Sequence, residues 1–181
     1  EGSISEGSLR ILDEFGMQWT ASGESVWRNS AQLSELDEET ITSKRGLFHP
    51  YRHAGSDCRI FFRDDGLSDL MGFEYRDWDS RDAVANMTTH MKNINHFISD
   101  TGDEPIISII MDGENAWEYY PDNGFHFLER LYAALVEDPS IEPVTVADGV
   151  QLPGRELPRI CPGRWVYGSF STWSGEEGKT R

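Results

Sequence analysis

Two carboxylates follow a short apolar run near the middle of the chain, and three aromatic residues come directly after them. Residues 106–111 are apolar except for one serine and end in the turn signal Asp112-Gly113-Glu114. Such a run predicts a buried strand with Asp112 at its C-terminal tip, the edge where ligands bind in α/β folds. Carboxylates there can transfer protons or act as nucleophiles, while rings can stack on sugar faces. The rings are Trp117, Tyr119 and Tyr120. The alternative is a loop that leads into the next helix, with Trp117 in the core.

Further acidic residues stand at other predicted strand tips. Asp64, Asp65 and Asp69 follow a predicted strand at 58–63, and Glu1 would follow a strand that ends just before it. Because the C-terminal ends of parallel strands converge in a barrel, these acids would approach one another. Paired carboxylates across a cleft suit glycoside hydrolysis. A separation of roughly 5–5.5 Å predicts retention of configuration, and roughly 6.5–9.5 Å predicts inversion.

The alternative role for these acidic residues is to bind a metal ion. Asp112, Glu114 and Asp122 offer the oxygen ligands that Ca²⁺ and Mg²⁺ prefer. The sequence has no twelve-residue EF-hand loop and no H-E-x-x-H zinc motif. It also has no G-x-S-x-G nucleophile elbow and no glycine-rich phosphate loop. We therefore predict a site without a catalytic metal.

The composition narrows the class of partner. The 181 residues carry a net charge of −16, which disfavours nucleic acid and anionic membranes and fits a neutral partner such as a carbohydrate. Two cysteines do not suggest a disulfide scaffold. No stretch is long and apolar enough to span a bilayer, and no signal peptide is visible. We interpret the chain as cytoplasmic and leave its oligomeric state open.

Strands alternate with helices along the chain. The predicted strands are 17–21, 58–63, 106–111 and 143–147, and the predicted helices are 6–15, 25–33, 80–99 and 124–137. This alternation is typical of a parallel sheet surrounded by helices. We predict a single α/β domain over 1–181, with βα units in 1–148 and a Pro/Gly-rich loop and aromatic segment in 149–181. The chain looks like the second half of a barrel, and an open sheet of four or five strands is the alternative.

Four stretches resemble glycoside hydrolase family 57, the group of α-amylases, amylopullulanases and 4-α-glucanotransferases. IIMDGENAWEYYPDNGFHFLERLYAAL is similar to the family's fourth motif region, and IFFRDDGLSDLMGFEYRDW is similar to its F-R-x-x-x-L-S-D-x-I-G-F segment. EGSISEGSLRILDEFGMQWTASGE resembles the segment that begins at the nucleophile, and GRWVYGSFSTWSG resembles the G-x-W-x-x-x-x-F-x-x-W-x-G segment.

The resemblance implies a part of a (β/α)7 barrel that acts on α-1,4-glucans with retention of configuration and without an obligatory cofactor. It implies that Glu1 is the nucleophile and Asp112 the general acid/base of a hydrolase or a glucanotransferase. Beside them, an arginine, further acids and two tryptophans of the matching stretches are the expected substrate contacts. These are Arg63, Asp64, Asp69, Glu114, Trp117 and Trp173.

The chain departs from the family pattern in three places, and two of these departures, at Asp65 and at the truncated start, favour an alternative, a non-catalytic carbohydrate-binding relative of the same fold. Asp65 stands where relatives usually carry histidine, and Ser22-Gly23-Glu24 replaces the commoner T-D-E. The first barrel strands, with the family's H-Q-P motif, would also precede this chain. Because Glu1 is the terminal residue and chain ends are usually mobile, we expect the 181-residue piece alone to be inactive.

Overall fold

The computed structural model describes residues 2–99, 102, 104–114 and 116–170. In chain order the elements are α1 (Glu6–Glu14), β1 (Trp19–Ser22), α2 (Glu24–Leu33), α3 (Glu38–Thr42), β2 (Tyr51–His53), β3 (Arg59–Phe62), α4 (Asp65–Asp69), α5 (Ser80–Ser99), α6 (Phe125–Glu137), α7 (Val146–Val150) and β4 (Arg155–Leu157). Short 3₁₀ turns lie at Arg45–Phe48, Tyr75–Asp77 and Pro121–Gly124, and a π-helical turn lies at Leu70–Glu74.

The chain divides into two compact units. The first, here called the sheet unit, consists of the described residues of Glu1–Asp64 and Val146–Arg181. The second, here called the helical unit, consists of those of Asp65–Thr145.

The four strands form one mixed sheet in the sheet unit, in the order β1-β3-β2-β4. β1 is parallel to β3, with Ser22 opposite Phe62, and β2 is parallel to β4. Among the pairs that these described strands form, β2–β3 alone is antiparallel. The predictions for strands at 17–21 and 58–63 are therefore confirmed, and the sheet is mostly parallel.

β4 lies inside the stretch 149–181, which was predicted to be a Pro/Gly-rich loop and an aromatic segment. The strand has three residues, and the Arg155 N–H donates a hydrogen bond to the carbonyl of Pro50 at 2.9 Å. A salt bridge of 2.6 Å also joins Arg52 Nη2 to Glu156 Oε1 across the β2–β4 pair. Pairing with a distant strand, rather than local sequence, thus creates this element.

Two predicted strands are wrong. Residues 106–111 are half-buried but have no strand pairing, and α7 begins at Val146, within the predicted strand 143–147. Around 106–111, Ile107, Ile109 and Met111 pack on the core of the helical unit, and the Ile110 N–H donates to Ser68 Oγ at 3.1 Å. The apolar pattern was correct about burial, but burial here comes from helices rather than from neighbouring strands.

α1 and α2 of the sheet unit lie close to the predicted helices 6–15 and 25–33. At α1, Ser5 Oγ accepts from the Ser8 N–H at 3.1 Å while Ser8 Oγ accepts from the Ser5 N–H at 2.8 Å, which is a reciprocal capping box. α2 buries Trp27 completely. The sheet unit's core also contains Leu9, Val26, Tyr51, Ile60, Phe62, Leu157 and Ile160.

The helical unit is built on α5 and α6, both at the predicted positions. Their inward residues repeat every three or four positions, as an amphipathic helix requires. The core contains Leu67, Met71, Tyr75, Ala83, Val84, Met87, Tyr120, Phe127 and Leu131. Among the described residues, no helix combines the length and hydropathy that a membrane span needs.

Candidate functional site

The C-terminal ends of β1 and β3 form one edge of the sheet, here called the strand edge. Parallel pairing places Ser22 beside Phe62, and the Arg63 N–H donates to the Ser22 carbonyl at 2.9 Å. Arg63 and Asp64 therefore leave the sheet together at this edge. Both are charged and buried, with only 6% and 7% of their surface exposed. Charged groups are rarely buried without a specific reason, so this edge is a candidate site.

The start of the chain reaches the same edge. Ser22 Oγ–H donates to the carbonyl of Gly2 at 2.6 Å, and Gly2 has a positive φ of 65°. A side chain at position 2 would also come within 3.3 Å of Ser22 Cα. Glycine is therefore well suited to position 2. Glu1, the expected nucleophile, lies outside the described residues, but its neighbour Gly2 is fixed at the strand edge.

A tryptophan covers Arg63. The Cζ atom of Arg63 lies 5.0 Å from the centroid of the Trp165 ring, within the range of a cation–π interaction. Trp165 approaches so closely because position 23 is glycine, since a Cβ there would lie 2.5 Å from Trp165 Cα. A pair of hydrogen bonds between Ile4 and Gly163, of 2.9 and 3.1 Å, brings the segment before Trp165 beside the start of the chain.

Two charged residues near the edge were not predicted as site residues. Arg164 is buried, with 5% of its surface exposed, and Glu24 is buried with 4% exposed. The Glu24 carboxylate lies 2.8 Å from Arg28 Nη2 and 2.9 Å from Lys44 Nζ. These contacts make Glu24 an ion-paired anchor of α2. The only sequence signals for them were the family-like segments around 22–24 and 163–175.

The second group of expected site residues lies in the helical unit. Asp112 and Glu114 are exposed on the loop after residues 106–111, and Asp69 is exposed at the end of α4. Asp112 was predicted to lie at the tip of a buried strand, but the segment before it is not a sheet strand.

Trp117 is half-buried and lies in an aromatic cluster. Its ring centroid is 5.4 Å from that of Tyr120 and 6.3 Å from that of Phe127. Burial raises the pKa of the Tyr120 hydroxyl, which donates to the Met71 carbonyl. Tyr119, in contrast, is 69% exposed, and the Cζ atom of Arg76 lies 5.3 Å from its ring centroid. Of the three rings expected to stack on sugars, Tyr119 is thus the accessible one.

The structure brings together only part of the expected set. Arg63 and Asp64 share the strand edge in the sheet unit, whereas Asp69, Asp112, Glu114 and Trp117 belong to the helical unit. Glu1 and Trp173 lie outside the described residues. Within the described part of the chain, no three His, Cys, Asp or Glu side chains form a group that could hold a metal ion.

Comparisons with known proteins give the family. The model of glycosyl hydrolase family 57 matches residues 1–160. None of the curated proteins compared with the chain matches it. Among solved structures, the crystal structure of 4-alpha-glucanotransferase from Thermococcus litoralis matches with a TM-score of 0.63 at 16% identity. The match covers 90% of this chain and 23% of that chain, so the chain spans less than a quarter of its neighbour.

The likeness to the glucanotransferase and the mostly parallel sheet confirm the predicted α/β fold class, part of the family's barrel. The match of the family model extends over most of the 181 residues and includes the strand edge and the loop that carries Asp112. The chain belongs to glycosyl hydrolase family 57.

Proposed function

We propose that this chain carries catalytic residues of a retaining glycoside hydrolase or glucanotransferase that acts on α-1,4-glucans. The observation that carries the proposal is the family match over residues 1–160, which includes both Glu1 and Asp112. The similar solved structure is that of a 4-alpha-glucanotransferase, which supports the same substrate class.

In this proposal Glu1 is the nucleophile that attacks the anomeric carbon and forms a glycosyl-enzyme intermediate. A nucleophile needs a supporting shell that fixes it to within about 0.5 Å. The hydrogen bond of 2.6 Å from Ser22 Oγ–H to the Gly2 carbonyl supports this role, because it ties the next residue to the strand edge.

Asp112 is the general acid/base in the same proposal. It protonates the oxygen of the leaving glucan and then takes a proton from the water or sugar hydroxyl that attacks the intermediate. Water as acceptor gives hydrolysis, and a sugar hydroxyl gives transfer. The exposed carboxylate of Asp112 is accessible to a large substrate.

Substrate contacts are proposed for Arg63, Asp64, Asp69, Glu114 and Trp173, whereas Trp117, which was expected in this set, is half-buried in an aromatic cluster. The support is strongest for Arg63. Its buried guanidinium is held under the Trp165 ring, so it keeps a fixed direction at the strand edge. A fixed guanidinium can donate several hydrogen bonds to sugar hydroxyls or to a carboxylate at low entropic cost.

The test uses the full gene product that carries this sequence, incubated with maltoheptaose and followed by chromatography. Shorter sugars alone indicate hydrolysis, and a ladder that includes longer sugars indicates transfer. Asp112→Asn should abolish turnover, while circular dichroism shows the same fold. Retention is checked by NMR of the first anomer released. Turnover that survives Asp112→Asn would remove Asp112 from its role.

A non-catalytic carbohydrate-binding protein is the second candidate. Asp65 in place of the usual histidine favours it. Calorimetry with maltoheptaose separates the two candidates. Binding without any product, in the wild type as well as in Asp112→Asn, would support the binding protein and contradict the enzyme.

A further inference from the structure

We propose that Trp117 is a positioning residue that holds the loop of Asp112 in place, rather than a ring that stacks on sugar. The loop, here called the acid loop, comprises residues 112–114 and 116–120. The inference rests on the proposed role of Asp112 as general acid/base. Three observations carry it: the inward direction of Trp117, the hydrogen bonds at the end of the loop, and an unusual turn that follows.

Trp117 points into the helical unit. Its ring meets Tyr120 edge-to-face at 5.4 Å and lies 6.3 Å from Phe127. Tyr120 in turn lies 5.2 Å from Phe127, so the three rings form one cluster, and Phe127 belongs to the first turns of α6. A sugar platform must present an open face, whereas Trp117 is half-buried and has two aromatic neighbours within 6.3 Å. An aromatic cluster of this kind fixes backbone position.

Hydrogen bonds close the C-terminal end of the acid loop. The Tyr120 N–H donates to the Trp117 carbonyl at 3.1 Å, and the Asn123 N–H donates to the Tyr120 carbonyl at 3.1 Å. The buried hydroxyl of Tyr120 donates to the carbonyl of Met71 in the π-helical turn. Residues 117–120 are therefore tied to the core of the helical unit, while Asp112 and Glu114 remain exposed.

The turn after the loop has a rare backbone conformation. Asp122, Asn123 and Gly124 are consecutive residues with φ of 50°, 52° and 78°. L-residues usually adopt this left-handed region singly, and a run of them is costly. Such strain persists only where the surrounding structure requires it.

Gly124, at the end of this turn, lies directly against the Trp117 ring. A Cβ at position 124 would lie 3.1 Å from Trp117 Cε3 and 3.4 Å from Trp117 Cδ2. The left-handed turn thus brings a bare backbone against the indole ring. Trp117 is held between this backbone and its aromatic neighbours. Because Trp117 is part of the acid loop, its fixed ring also restricts the backbone of that loop.

Kinetics on the full gene product test this role with Trp117→Phe and Gly124→Ala. Gly124→Ala retains the Trp117 side chain, but the new Cβ would lie 3.1 Å from Trp117 Cε3 at a position with a φ of 78°, so the ring or the turn must shift. A misplacement of about 1 Å can cost about 100-fold in rate. We therefore expect both variants to lower kcat by about 10- to 100-fold, with KM for maltoheptaose nearly unchanged. Tyr132→Phe, an exposed ring on the same helix α6, is the matched control and should match wild type.

The opposite kinetic pattern overturns the inference. A raised KM with unchanged kcat in Trp117→Phe would mean that the ring binds sugar in the ground state. Wild-type kinetics in both variants would mean that other contacts hold the loop. Thermal unfolding of each variant identifies a loss of fold, and Trp117→Phe preserves most of the aromatic cluster.

Hydrogen exchange measured by mass spectrometry gives a readout that does not depend on activity. Peptides that cover 112–124 should exchange faster in Trp117→Phe and Gly124→Ala than in wild type or Tyr132→Phe, whereas peptides from α5 should not change. Unchanged exchange in the acid loop would contradict the anchoring role. Turnover by the wild type and its loss in Asp112→Asn decide the proposed function separately. If wild type has no turnover, the proposed function fails and exchange alone decides whether Trp117 fixes the loop.

Discussion

Replacing Gly23 by alanine should destabilise the protein, although the change adds a single methyl group. The new Cβ would lie 2.5 Å from Trp165 Cα and 3.1 Å from the Trp165 carbonyl oxygen. Ordinary carbon–carbon contacts are about 3.5–4.0 Å, so the backbone of Trp165 or the end of β1 must move by about 1 Å. Backbone atoms cannot yield as the end of a side chain can.

The cost has two parts. Overpacking of this kind costs about 1–3 kcal/mol. Movement of Trp165 also weakens its stack on the buried Arg63 guanidinium, which is worth about 0.5–2 kcal/mol. We expect a total loss of about 2–4 kcal/mol in the free energy of unfolding. For a chain of this length that corresponds to a fall in Tm of about 4–16 °C.

Gly7→Ala provides the matched control within the same unit. Gly7 lies inside α1, and a Cβ there would meet only Ser5 Oγ, at an ordinary distance of 3.7 Å. Alanine is favoured over glycine in a helix by about 1 kcal/mol, so Gly7→Ala should raise Tm. Urea and thermal unfolding of both variants, followed by circular dichroism, give the comparison. A Gly23→Ala protein as stable as wild type would refute the packing that we describe between β1 and Trp165.

Two further predictions concern charge. Glu24→Gln should lower the free energy of unfolding by about 1–2 kcal/mol in urea titrations, because Arg28 and Lys44 lose a buried anion but can still turn to solvent; unchanged stability would contradict the anchoring role of Glu24. The Lys92 ammonium lies 2.5 Å from Asp138 Oδ2 and lowers the pKa of the Asp138 carboxyl from 3.8 to about 2. The ion pair therefore stabilises the folded protein above pH about 4, and this stabilisation is lost as the pH falls through about 2. NMR titration should show this pKa rising toward 3.8 in Lys92→Met, and a pKa that stays low would rule out Lys92 as its main cause.

The sequence predicted those helices and strands whose formation depends on residues within the segment itself. α1, α2, α5 and α6 have caps or apolar residues at helical spacing, and both features act within the segment itself. β1 and β3 were also predicted, since β3 contains an apolar run before a turn signal and β1 is a short segment between Gly16 and Gly23. β2 and β4 have only three residues each, so nothing in their own sequence distinguishes them from a loop.

Residues 106–111 were predicted to be a strand and are not one, although their burial was predicted correctly. An apolar run indicates burial but does not identify the surface that buries it. In the described structure that surface is the core of the helical unit, which Ile107 and Ile109 contact. Pairing into a sheet depends on a neighbouring strand, and this cannot be deduced from the run itself. The strand-tip argument therefore placed Arg63 and Asp64 correctly after β3 but did not describe the position of Asp112.

The strand edge could not be deduced from any single motif, because it is assembled from three distant parts of the chain. Arg63 follows β3, Gly23 follows β1, and Trp165 comes from the C-terminal part of the sheet unit. The direction of the Arg63 guanidinium depends on the Trp165 ring, whose approach depends on the missing side chain at position 23. The hydrogen bond from Ser22 to Gly2 adds the start of the chain to the same arrangement. Since the approach of Trp165 to Arg63 requires a residue without a side chain at position 23, Gly23 is as much a part of the candidate site as Arg63, although only the arginine has a functional group.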